Sequence, residues 1–126
     1  MKELVTVLSF LVFLGLFCSC QREEPTEQNQ TKNPLVGTIW KASYNGDALV
    51  IEFTSENDFR NYTEDSNGNL KQFGLDYGNY SISGNRISFS NHTSTNRFDF
   101  AIVNGDIMEL HYYYNPNFTR NYKKTR

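Results

Sequence analysis

Two histidines, His92 and His111, and two cysteines, Cys18 and Cys20, are the side chains of this 126-residue chain best suited to proton transfer, metal binding or nucleophilic attack. His92 lies in Asn91-His92-Thr93-Ser94-Thr95, a turn sequence in which a solvated surface histidine is expected. His111 alternates outward with Glu109, the setting of a polar cross-strand pair. A zinc site needs three or four converging ligands, and the sequence offers no close-spaced cluster. Residues 65–69 resemble the start of a calcium loop but lack the twelve-residue pattern with a closing Glu, so a plain turn is expected. Glu52 and Glu109 could meet across a barrel, but such carboxylate pairs occur in any β-protein. No Gly-x-Ser-x-Gly elbow and no phosphate loop is present. The expectation is a protein that is not an enzyme, with no catalytic residue, no metal and no cofactor.

Charge narrows the partners. Twelve basic against fourteen acidic residues leave a net charge of −2, which argues against a protein built to bind nucleic acid. The length allows one domain and little more.

The cysteines belong to the N-terminal segment. Lys2 supplies a positive start, and residues 4–17 form an apolar run dominated by Leu, Val and Phe. At about 14 residues that run is shorter than the roughly 20 needed to cross a bilayer as a helix, and it has signal-peptide architecture. Phe17-Cys18-Ser19-Cys20 resembles a bacterial lipobox, in which a small residue precedes the cysteine that is lipidated and becomes the mature N-terminus. Ser19 meets that requirement before Cys20, whereas Phe17 before Cys18 does not. The resemblance implies a signal peptide over 1–19 and a lipid anchor, palmitate included, on Cys20. Three acyl chains would hold the protein firmly on a membrane, since each buried methylene adds about 0.8 kcal/mol. Cleavage there discards Cys18, leaving no disulfide and no free thiol. Gln21-Arg22-Glu23-Glu24 is similar to the surface-export signal of Bacteroidota lipoproteins, a short acidic cluster just after the lipidated cysteine. It implies an outer-membrane, cell-surface location.

Residues 25–34 contain no apolar side chain larger than proline. Such a stretch cannot bury enough surface to offset its ordering entropy, so 20–34 reads as a lipidated cysteine and disordered tether. The domain is expected over 35–126.

From Leu35 onward the period is two. Trp40, Ala42 and Tyr44, then Leu49, Ile51 and Phe53, alternate with other residues; so do Phe98, Phe100 and Ile102, and Met108, Leu110 and Tyr112. Half-buried antiparallel strands give this pattern. Asn45-Gly46, Asn67-Gly68, Gly84-Asn85 and Asn104-Gly105 punctuate the runs with residues that reach positive φ. Strands are expected near 36–44, 48–54, 57–63, 71–83, 86–90, 96–103, 106–114 and 117–124, with Gly78 as a bulge in the long fourth one. The fold class is all-β, an antiparallel up-and-down meander of about eight strands closed into a barrel, with a β-sandwich as the alternative.

Leu35-Val36-Gly37-Thr38-Ile39-Trp40-Lys41 resembles the opening of small lipocalin-like domains, common in Bacteroidota lipoproteins. Leu49-Val50-Ile51-Glu52-Phe53-Thr54, the stretch from Gly78 to Phe89, and Phe118-Thr119-Arg120 resemble the same group. Gly37 and Trp40 are separated by two residues where the lipocalin signature has one. A META-type domain also opens on Gly-Thr-x-Trp, but its central Gly-Cys-Asn-like segment is absent. The lipocalin-like resemblance implies a barrel-end pair in which Trp40 plugs the barrel beneath Arg120, a cation over a ring face.

Two functional readings follow. In the first, the barrel binds a small apolar or amphipathic ligand among Trp40, Phe53, Phe89, Phe100 and Leu110. In the second, a filled core carries a surface patch of Arg60, Tyr62, Tyr77 and Tyr113 that meets a protein or glycan. The basic residues from Arg120 to Arg126 read as a contact for anionic headgroups or a glycan, or as a charged edge strand that blocks aggregation.

Overall fold

The computed structural model describes residues 32–95 and 97–126, without the side chain of Phe73. Residues 33–126 form one unit, whose eight antiparallel strands are each hydrogen-bonded to the next, with β8 returning to β1. The strands are β1 (Ile39–Tyr44), β2 (Asp47–Phe53), β3 (Asp58–Glu64), β4 (Leu70–Ser83), β5 (Arg86–Ser90), β6 (Phe98–Asn104), β7 (Ile107–Tyr112) and β8 (Asn115–Lys124). A closed up-and-down barrel therefore replaces the sandwich alternative, and among the described residues no helix forms. β8 pairs with β7 on one side and with β1 on the other, through Trp40↔Lys124 and Lys41↔Lys123. The basic C-terminal strand is thus a closing strand and not a charged edge.

The Asn33 amide donates to the Tyr80 hydroxyl at 2.9 Å, and its side-chain oxygen accepts the Leu35 N–H at 3.0 Å. The signal-peptide reading of 1–19, the lipidation of Cys20 and the export signal Gln21, Arg22, Glu23 and Glu24 lie outside the described residues.

Turn chemistry does what the sequence requires of it. Asn45 (φ 49°) and Gly46 (φ 83°) make the β1–β2 hairpin, and Gly105 (φ 60°) turns β6 into β7. In the β3–β4 turn Asp65 accepts the N–H groups of Asn67 and Asn69, each at 2.9 Å. These bonds, the one from Asn69 foremost, hold its carboxyl below the ordinary carboxylate value.

Register is shifted where alternation alone says nothing. Between Asn61↔Asp76 and Thr63↔Lys71, β4 carries extra residues against β3, and Gly74 sits in that irregularity with φ +87°. Gly78 is in regular register opposite Phe59, so it is not the bulge. Its missing side chain makes room: a Cβ there would stand 2.6 Å from Phe59 Cε1 and 2.6 Å from the Ser90 carbonyl oxygen. On β6 a second irregularity falls between Phe98 and Phe100, which face Tyr112 and His111.

One half of the barrel is filled. Trp40, Phe53, Phe59, Tyr80, Phe89 and Leu110 are among a continuous buried cluster that also includes Ile51, Met108 and Tyr122. Its rings meet edge to face, with Phe53–Tyr80 and Phe89–Phe98 centroids both 4.7 Å apart. Leu35 and Thr38 close this end. Trp40 donates its indole N–H to Thr38 Oγ1 at 2.9 Å, and that hydroxyl donates to the Leu35 carbonyl at 2.6 Å.

Candidate functional site

The opposite end is open. Inward positions of the upper strands surround a cavity of about 490 Å³, within the range of small-molecule sites. The β1–β2 hairpin supplies Tyr44, Asp47 and Leu49; β3 supplies Asn61 and Thr63; β4 supplies Lys71. Phe98, Tyr112, Phe118, Arg120 and Tyr122 extend the wall. The same period of two that fills the lower half with apolar groups thus places polar groups above, because Asn61 and Thr63 are in phase with Phe59.

β8 reaches this wall through a distortion. Between His111↔Thr119 and Tyr112↔Asn115 it carries extra residues, and Phe118 comes to 5.4 Å from Tyr112. Arg120 points the same way, its guanidinium 5.0 Å from the Tyr44 ring centre and 5.3 Å from that of Phe118. Lys71 pairs with Asp47 across the wall. Tyr122 is 2% exposed, and burial above all pushes its phenol well above the ordinary value.

A clasp holds the β5–β6 loop against the wall. His92 Nδ1 lies 2.7 Å from Asp76 Oδ2, and its Nε2 lies 3.0 Å from the Phe98 carbonyl oxygen. Thr93 Oγ1 and the Ser94 N–H both donate to Asp76 Oδ1, at 3.1 and 2.8 Å. The imidazole is edge-on to Phe98 at 4.7 Å and near Phe59 at 5.3 Å. With its side chain 4% exposed, His92 is a buried fastener and not the solvated histidine expected. Both ring nitrogens are engaged, so the ring presents none to a neighbouring hydroxyl. Ser94 and Phe98, which this clasp positions, line the cavity.

The expected site residues are redistributed. Trp40, Phe53, Phe89 and Leu110 are interior as expected, but they pack the filled half and do not line the cavity. Phe100 is a correction. It is half-buried on the outer face, stacked on His111 at 4.2 Å with the Arg86 guanidinium 3.8 Å from its ring centre. The irregularity after Phe98 shifts the phase, so that Phe98 and Ala101 face inward instead. The barrel-end pair is a second correction: Trp40 stands opposite Lys124 at the closed end, whereas Arg120 stands opposite Leu110 and reaches the open end.

The surface patch is divided. Arg60 lies 5.0 Å over the Tyr62 ring, pairs with Glu52 at 2.6 Å and faces Tyr77 across the strands. Tyr62 is buried, while Tyr77 remains exposed. Tyr113 belongs to a different place, the β7–β8 turn, where it packs edge-on against Tyr114 at 5.2 Å. His111 bonds Glu109 of its own strand at 2.7 Å, not a cross-strand partner. Among the described residues no group of three or more His, Cys, Asp or Glu side chains is placed to hold a metal ion.

Sequence reasoning missed Asp76, Lys71 and the position of Arg120. Asp76 carried a signal, since it is in phase with Tyr80 on β4 and so had to face inward.

A protein-family model described as a lipocalin-like domain matches residues 23–110, which takes in β1 to β6 and most of β7 but not β8. No curated protein and no solved structure matches the chain.

Proposed function

The chain belongs to the lipocalin-like domain family, and from that premise we propose that its barrel holds one small amphipathic ligand in the cavity at the open end. The observation that carries this reading is the division of the interior. The lower half is packed with side chains, and the upper half is a cavity of about 490 Å³ with ring faces and charged groups in one wall. An eight-stranded barrel is just wide enough for such an arrangement. A purely apolar ligand would leave the Arg120 guanidinium desolvated without a new partner, which costs free energy. A ligand with a polar head and an apolar body avoids that cost.

The sequence features before the barrel support the rest of the reading. Cys20 would carry the lipid, residues 21–24 would direct the protein outward, and the barrel would stand on the outer membrane at the cell surface.

Native mass spectrometry on the protein isolated from its own cells tests the ligand. A reproducible added mass that is lost on denaturation is the expected result. A mass with nothing beyond the covalently modified polypeptide, which also retains nothing from a panel of fatty acids, lipids and aromatic amphiphiles, would remove the reading. The exposed Tyr113 and Tyr114 of the β7–β8 turn would then direct the search to a protein or glycan partner.

A further inference from the structure

The cavity wall holds an excess of positive charge in a chain whose net charge is −2. Its charged members are Asp47, Lys71 and Arg120. Asp47 and Lys71 satisfy each other as an ion pair. Arg120 has no carboxylate in contact among the described residues; its guanidinium lies by the Tyr44 and Phe118 rings. Rings on which a guanidinium rests hold its plane without using its N–H fork, and such a fork matches two oxygens of a carboxylate or phosphate.

We propose that Arg120 recognises an anionic head group, a carboxylate or a phosphate, on the ligand of the open-end cavity. This rests on the ligand-binding reading above. The body of the ligand lies along Phe98, Tyr112 and Phe118. The clasped β5–β6 loop keeps Phe98 in that wall, and the filled lower half limits how deep an acyl chain reaches.

Calorimetric titration of the protein as isolated from its own cells, using decanoate, decyl phosphate and 1-decanol, tests this directly. The two anions are expected to bind about tenfold or more tightly than the alcohol, the scale of one charge-assisted pair. Added salt should weaken the anions and leave the alcohol unchanged. Arg120→Gln should bring all three probes to the affinity of the alcohol, and Arg120→Lys should keep part of the difference. Preference for decyl phosphate over decanoate, or the reverse, names the head group, and either supports the proposal. Equal binding of the alcohol and the anions overturns the proposal but leaves the ligand-binding reading standing. Retention of none of the three probes, with no native adduct, overturns both. Where Arg120→Gln melts early, Arg120→Lys and the salt dependence of the unmutated protein decide.

Discussion

Asp76 and His92 meet at 2.7 Å in the barrel wall, their side chains 1% and 4% exposed, and join the middle of β4 to the loop after β5. The carboxylate is satisfied completely by loop groups, since Thr93 and Ser94 take its other oxygen. Removing either partner leaves a buried polar group without its answer. His92→Ala or Asp76→Ala should each cost about 3 kcal/mol, and the double variant should cost clearly less than the sum. Urea unfolding of the four proteins measures this, and additive losses would mean that the two side chains act independently.

Gly78→Ala should destabilise the barrel by about 1–3 kcal/mol, because the added methyl meets the Phe59 ring and the Ser90 carbonyl oxygen. Phe59→Leu in the same background should recover part of the loss by removing the ring. Thermal unfolding checks both, and an unchanged midpoint for Gly78→Ala would show that the ring moves aside freely.

Tyr122 sets an alkaline limit. Burial first, then Tyr112, raises its phenol well above the ordinary value of 10.0, so the folded state keeps a proton that the unfolded chain gives up. Its contribution is therefore complete below about pH 10 and is lost as the pH climbs from there towards the folded value. Tyr62 and Tyr80 shift the same way, with burial again the largest cause. Urea midpoints should hold level up to about pH 10 and then fall, and Tyr122→Phe should flatten part of that fall. An alkaline arm identical in both proteins would contradict this assignment.

Cys20 is the point of attachment to the membrane in the proposed function. Cells fed labelled palmitate should transfer label to the unmutated protein and none to Cys20→Ala, while Cys18→Ala should label normally. Retention of label by Cys20→Ala would move the anchor elsewhere.

The strand pattern was legible because each strand packs one face, and the hairpins announced themselves through Asn45-Gly46 and Asn104-Gly105. What alternation cannot reveal is a change of phase. Phe98, Phe100 and Ile102 read as one face, yet the irregularity after Phe98 turns Phe100 outward to Arg86 and His111. Gly78 reads from the sequence as a bulge, but glycine also serves where a ring must lie close, and only the register distinguishes the two uses. The cavity was harder still. Arg120 matters through Tyr44 and Phe118, and Asp76 through His92. Those neighbours are set by how far each strand slides against the next, which no single strand encodes.

Where β8 closes on β1, the Ile39 N–H donates to the Arg126 carbonyl at 3.0 Å, while Asn33 is fastened nearby through Leu35 and Tyr80. Both ends of the barrel polypeptide therefore leave from the closed end, behind Trp40. A short linker could join Asn33 to Arg126 and new termini could be cut at the Asn67-Gly68 turn, giving a circular permutant with every strand neighbour kept. A reporter fused at Arg126 would likewise trail behind the barrel and leave its mouth unobstructed.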